Sequence, residues 1–227
     1  MNTQEIENII KTRAAANAES DEPFYIMEAN VVLDQYLAWK KAFPKIRPFY
    51  AIKCNTDPAI LRMMKTLGCG FDCASSEEID RVLQLDANPV SDVIFANPCK
   101  FPSHIRAAKA AGVKRMTFDN TDELVKVAAI YPEAEMVLRI ATDDSHSMCR
   151  FSTKFGAHMD DVPAILKCAA ELKVAIVGVS YHVGSGCQDF SSYEKASSDA
   201  LKIFEMGREY GFEMHLLDVG GGFLATE

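Results

Sequence analysis

The chain has 227 residues, 48% hydrophobic and 25% charged, with a formal net charge of −8. That is enough to bury one large core, and a single (β/α)8 barrel of roughly 250 residues would leave no room for a second domain of any size. The acidic balance and the lack of a Lys/Arg run exclude the basic face that nucleic acid requires.

No apolar run approaches the roughly 20 residues of a membrane span, and the N-terminus carries acids where an export signal carries bases, so no membrane partner and a cytoplasmic setting are expected. Seven cysteines, without paired C-x-x-C spacing, speak against a disulfide framework and against a metal site.

In chain order, Ile6, Ile9, Ile10 and Ala14 follow Thr3 at helical spacing, so residues 1–22 are expected to form a helical extension capped at Thr3. The stretch 23–44, PFYIMEANVVLDQYLAWKKAFP, is expected to hold an extra strand at the start of a domain running over 23–227. A repeating unit then begins: a short β-rich segment, a turn of small or polar residues, and an amphipathic helical stretch. The strand candidates are 48–54, 69–74, 92–98, 115–119, 135–141, 174–184 and 215–220, and the segments between them read as helix, as in 76–85, 104–111, 121–130, 161–173 and 193–211. Such units build a parallel sheet. Seven of them without a G-x-G-x-x-G fingerprint favour a TIM-type α/β barrel lacking its eighth strand over an open doubly wound sheet.

Side chains alternate along a strand, so Phe49, Ala51 and Lys53 share one face. The same pattern sets Asp72 opposite Phe71 and Cys73, Arg139 opposite Leu138 and Ile140, and His182 opposite Tyr181 and Val183. All four polar residues are thereby expected inside, at the strand ends where barrels build active sites. A ring of this kind is either a structural ion-pair layer or a ligand site, since burying such groups unpaired costs too much. HVGSGC (182–187) and VGGGF (219–223) follow the last two strands and offer unhindered backbone N–H groups to a phosphate, although a triple glycine is also met as a plain turn. A lysine able to form a Schiff base beside a phosphate site points to pyridoxal 5'-phosphate, an electron sink that lets an amino acid lose carbon dioxide or a proton.

Taken together, FYAIKCN, GFDCAS, FANPCK, TFDN, LRIATDDS, CRFSTKFG, GVSYHVGSGC and LLDVGGGF resemble the eukaryotic ornithine decarboxylases, with the alanine-racemase-like barrel of that group, over roughly residues 23–227. The resemblance implies that Lys53 carries the cofactor and moves protons. It also implies that Asp72 is an acidic partner, that Arg139 lies on the cofactor side and that His182 stacks on the pyridine ring. Ser185 with Gly220, Gly221 and Gly222 would hold the phosphate. It further implies decarboxylation of L-ornithine to putrescine by a homodimer, with an eighth strand and a C-terminal β domain beyond GGGFLATE. This chain alone is therefore expected to be inactive.

Resemblance leaves two other readings open: a non-catalytic regulator like the antizyme inhibitors, or an enzyme on the same barrel acting on lysine, arginine or diaminopimelate or racemising an amino acid. In the family an antizyme docks near residues 100–125, where Lys100, His104, Arg106, Lys109, Lys114 and Arg115 make the chain basic, and a plain solvated helix is the other reading of that segment. The polar stretch 142–156 is expected to be either a mobile lid or an ordered loop.

Overall fold

The computed structural model describes residues 1–17, 19 and 22–224, which form two compact units, Met1–Pro48 and Phe49–Glu227. In the first, α1 (Thr3–Ala16) starts from Asn2 instead of Thr3. Asn2 Oδ1 accepts from the Glu5 N–H at 3.0 Å while the Glu5 carboxylate accepts from the Asn2 N–H at 2.8 Å, a reciprocal capping box. The strand expected within 23–44 is absent, and α2 (Ala29–Ala42) stands there instead. Val32, Leu33, Tyr36, Trp39 and Lys40 are its half-buried residues, spaced at a helical and not a two-residue period.

The second unit repeats strand and helix: β1 (Phe49–Ala51), a 3-10 turn at Ile52–Cys54, α3 (Pro58–Thr66), β2 (Gly70–Cys73), α4 (Ser76–Leu83), β3 (Val93–Phe95), α5 (Pro102–Ala110), β4 (Arg115–Phe118), α6 (Thr121–Ile130) and β5 (Glu135–Arg139). It continues with β6 (Ser147–Cys149), α7 (Val162–Leu172), β7 (Ala175–Ser180), β8 (Ser185–Cys187), α8 (Ser191–Glu209) and β9 (Leu216–Asp218). Local chemistry starts several of these helices: the Asp57, Ser75 and Asn120 side chains each accept a first-turn N–H, and Pro58 and Pro102 open their helices.

Seven strands form one parallel sheet in the order β1-β2-β3-β4-β5-β7-β9. Sequential order is that of a singly wound barrel wall, whereas an open doubly wound sheet reverses direction at a switch point. The fold is thus the incomplete (β/α)8 barrel expected from the repeat. One face packs under the helices through Phe71, Cys73, Val93, Phe95, Met116, Phe118, Met136 and Leu138. The opposite face carries a smaller cluster of Ile94, Val137 and Val177, with Phe49, Ala96 and Leu216 against it. At Gly178 the β7 backbone lies so close to β9 that a Cβ would sit 2.1 Å from the Leu216 carbonyl oxygen. An alanine there has to push two strands apart.

Two strands were not foreseen. β6 and β8 pair antiparallel, Ser147 with Cys187 and Cys149 with Ser185, as a ribbon outside the main sheet. Most strands end before their sequence candidates do: β1 stops at Ala51 instead of Cys54, and β7 at Ser180 instead of Gly184. All seven cysteines are free thiols, and no group of metal-ligating side chains occurs among the described residues. No helix among them is long and apolar enough to cross a membrane.

Lys100, expected on a basic surface, is buried at 2% exposure. Its ammonium donates to the carbonyl oxygens of Thr117 at 2.7 Å and Asn97 at 3.0 Å and lies 2.9 Å from Glu123 Oε1; Lys126 meets the other carboxylate oxygen. Burial lowers the Lys100 pKa and the Glu123 carboxylate opposes that shift. Removing one member strands the other charge in the core. Glu123→Gln is therefore expected to destabilise the full-length protein by about 3 to 5 kcal/mol, and the double variant Lys100→Met/Glu123→Leu by clearly less. Urea unfolding of the single and double variants checks this.

Candidate active site

Parallel register brings the strand ends to one rim: Ala51 lies beside Asp72, Arg139 beside Ser180, and Ser180 beside Asp218. Lys53 does not continue the β1 alternation, because the chain has already turned into the 3-10 segment. The turn still delivers Lys53 Nζ to 3.7 Å from Asp72 Oδ1. Lys53 is more solvent-facing than the inward position expected for it, with its side chain 58% exposed. Asp72 Oδ1 is buried and accepts no hydrogen bond from the described residues. Burial pushes the Asp72 carboxyl up to about 6; Lys53 and Arg139 pull it down, while Asp218 and Glu78 add to the rise.

Arg139, at the end of β5, is half-buried with its guanidinium 5.0 Å from the centre of the Phe155 ring. Burial lowers its pKa, against Asp119, Asp218 and Asp72. Asp218 escaped the sequence reading. Burial raises its pKa, against the Gly220 N–H, the Ser180 hydroxyl, Arg139 and Lys53. Its signal was available: Leu216 faces the inner cluster, and two residues on Asp218 shares that face. The rim therefore holds two cations, Lys53 and Arg139, among three carboxylates, Asp72, Asp119 and Asp218.

His182 lies beyond β7, in a turn and not on a strand. The Gly184 N–H donates to its Nδ1 at 3.0 Å, which leaves the ring proton on Nε2. Burial first, then Arg139 and Lys53, push its pKa down to about 4, so the ring is neutral at pH 7. The glycine run packs directly upon it. A Cβ at Gly221 would stand 2.9 Å from His182 Nε2, and one at Gly222, where φ is +100°, 2.4 Å from the Gly184 carbonyl oxygen. Ser185 is exposed in β8. His182 and the three glycines thus meet on adjacent loops, Ser185 follows in β8, and Lys53 lies near enough to act on the His182 charge.

The stretch 142–156 is tied down at many points. Buried Asp144 accepts from the Ser152 N–H at 2.8 Å, the Ser152 hydroxyl, the Phe151 N–H and Arg150 Nε at 3.4 Å. Those bonds hold its carboxyl below the usual range although burial opposes them. The Thr142 hydroxyl donates to the His182 carbonyl oxygen at 3.0 Å, and the Ser147 hydroxyl to that of Val183 at 2.6 Å. Phe151 meets the His182 ring edge-on at 4.9 Å between centres. Phe151 carries no sequence signal for this role, because His182 lies 31 residues further along the chain.

Comparison with known proteins bears on this rim. The family model for the pyridoxal binding domain of pyridoxal-dependent decarboxylases matches residues 29–227. Ornithine decarboxylase of Mus musculus is 47% identical over 217 residues, covering 96% of this chain and 47% of that protein. Antizyme inhibitor 2 of Xenopus laevis is 47% identical over 212 residues, covering 93% of this chain and 46% of that protein. The chain spans about half the length of these curated relatives. The crystal structure of the arginine decarboxylase of Paramecium bursaria Chlorella virus superimposes with a TM-score of 0.92 at 34% identity, covering 97% of this chain and 59% of that one. A match that takes in all seven strands of the main sheet and every residue gathered at the rim settles the relationship: the chain belongs to the pyridoxal-dependent decarboxylases and carries their pyridoxal-binding domain.

Proposed function

We propose that the protein carrying this chain is an ornithine decarboxylase that converts L-ornithine to putrescine, the entry to polyamine synthesis, with pyridoxal 5'-phosphate as its cofactor. The observation that carries the reading is Lys53 poised 3.7 Å from the buried, unsatisfied Oδ1 of Asp72, at a rim that also holds a neutral imidazole and a glycine cradle. When bound, the cofactor supplies an electron sink that stabilises the carbanion left as carbon dioxide departs.

Lys53 would hold the cofactor through Nζ at its aldehyde carbon, and the amine set free when the substrate's amino group takes over that carbon would be the group placed to return a proton to the carbon that loses its carboxylate. Asp72 keeps a negative charge beside that amine once ionised, which favours its protonated form. His182 offers a neutral ring face for stacking. The lack of a side chain at Gly221 spares the Nε2 side of that ring a close contact. Ser185 and Gly220 to Gly222 take the phosphate, and Arg139 sets the positive field of the cofactor side. Segment 142–156 covers His182 through Phe151 and keeps water from that edge.

Ornithine as substrate is supported by curated ornithine decarboxylases at 43% to 47% identity over most of the chain. The arginine decarboxylase likeness keeps other basic amino acids as rivals. The antizyme inhibitor likeness favours a second reading, a non-catalytic regulator, at the same identity. The paired Lys53 and Asp72 support the enzyme. A homodimer acting in the cytoplasm belongs to the same proposal. Antizyme docking at 100–125 would rest on exposed Arg106 and Lys109, and not on buried Lys100.

In the full-length protein, Lys53→Ala is expected to abolish the cofactor's absorbance band and to lower carbon dioxide release from ornithine by about 10³-fold or more. A wild-type protein that neither binds the cofactor nor releases carbon dioxide would instead establish the regulator. A preference for ornithine over lysine, arginine and diaminopimelate in kcat/KM decides the substrate.

The raised Asp72 pKa sets a pH dependence. Unfolded, Asp72 ionises near its ordinary value of about 3.9; folded, it ionises at about 6. Between these values the folded state binds more protons, so this group's contribution to stability is full at low pH and is lost as pH rises through 6. For cofactor-free protein, Asp72→Asn is expected to gain about 2 kcal/mol relative to wild type on going from pH 4 to pH 7. Urea unfolding at the two pH values measures the difference; a gap that stays constant with pH refutes it.

A further inference from the structure

Gly220 to Gly222 leave β9 with φ of +62° at Gly220 and +100° at Gly222. The Gly220 N–H is taken by Asp218 Oδ1 at 2.9 Å. The N–H groups of Gly221 and Gly222 have no acceptor among the described residues. Successive backbone N–H groups free in a glycine turn form a concavity for an anion only if their peptide planes are held in one orientation. Glycine by itself has no means of holding them.

Two bonds from neighbouring elements do so. Tyr193, in the first turn of α8, donates its hydroxyl to the Gly221 carbonyl oxygen at 3.1 Å, and the Cys187 N–H donates to that of Gly222 at 3.2 Å. In a trans peptide the carbonyl and the following N–H point in opposite directions. The Tyr193 bond therefore turns the Gly222 N–H away from the phenol and into the turn. The ring of Tyr193 is itself held, stacked on Phe223 with 5.0 Å between centres and 27° between planes. Burial, with Cys187 and Tyr181 nearby, pushes the phenol up to about 12, so it remains a donor across the neutral range.

We propose that Tyr193 is a positioning residue for the cofactor's phosphate: without touching the anion, it fixes the Gly221–Gly222 peptide so that its N–H faces the phosphate oxygens. The proposal deepens the functional reading above and rests on its assignment of the glycine run to the phosphate. It goes beyond that reading in naming a residue on α8 that none of the strand-end or glycine motifs includes.

Tyr193→Phe keeps the stacked ring and removes only the hydroxyl, which makes the test selective. In the full-length protein, dissociation constants for pyridoxal 5'-phosphate and for pyridoxal, which lacks the phosphate, are measured by absorbance and fluorescence titration. The variant is expected to bind the phosphorylated form about three- to tenfold more weakly, the effect of one hydrogen bond. Pyridoxal affinity is expected to stay within about twofold of wild type. The phosphorus NMR resonance of the bound cofactor is expected to shift. Pyridoxal affinity doubles as the check that the variant is folded. Equal weakening of both ligands would mark Tyr193 as a general packing residue and overturn the proposal, as would unchanged affinity for both in a protein that prefers the phosphorylated form. A wild type that binds both forms equally would overturn the phosphate assignment itself and remove the proposal's basis.

Discussion

Parallel strand direction is the constraint on which everything else depends. Because β1 to β5, β7 and β9 run the same way and in sequential order, every strand delivers its last residue to the same rim. Residues far apart in the chain, such as Lys53 and Asp218, then feel each other electrostatically without any local sequence relation. An antiparallel sheet would have sent half of these side chains to the opposite edge. The early stop of the strands belongs to the same design: the chain leaves the ladder at Ala51 and Ser180, and the turns that follow carry Lys53 and His182.

The rim is an electrostatic compromise, not a set of satisfied pairs. Asp72 and Asp218 are raised by burial, Arg139 is lowered by it, and each is partly restored by the others. A buried Asp72 oxygen without a donor is an unfavourable arrangement that a folded chain keeps where a ligand or a reacting group completes it. Away from the rim, the core solves the same problem differently. Lys100 is surrounded by two carbonyl oxygens and the Glu123 carboxylate, so its charge is compensated within the protein and nothing is left for a ligand. The contrast separates a structural ion pair from a site.

Around the rim, the irregular segments are held by specific bonds. Asp144 gathers four donors from residues 150–152, the β6 and β8 ribbon ties that segment to the loop after β7, and Tyr193 and Cys187 pin the glycine turn. Loops of this kind keep their geometry because their polar groups are satisfied by specific partners rather than by solvent. That is the condition under which backbone N–H groups and a single imidazole act as a preorganised surface.

Periodicity and local chemistry, both short-range properties, were enough to determine the number of main-sheet strands, the alternating helices, the barrel class, and the placement of Asp72 and Arg139 on the inner face. The motifs around Lys53, His182, Ser185 and Gly220 to Gly222 were legible for the same reason, since each lies within a few residues of a strand end. Residues 23–44 misread as strand because apolar content alone does not separate helix from strand, and only the half-buried positions of α2 reveal its period. Lys100 looked like a surface cation because a sequence does not show that Thr117 and Glu123 fold around it. Asp218, Phe151 and Tyr193 acquire their roles from partners on other elements, Asp144 from residues 150–152 of its own segment, and the crowding that favours glycine at 221 comes from a histidine 39 positions earlier in the chain. What the sequence determined was the main-sheet strands with their alternating helices and the chemistry they carry; the β6 and β8 ribbon, which groups meet, how deeply they are buried and which charges are left unpaired were decided only when tertiary packing replaced water with distant parts of the chain.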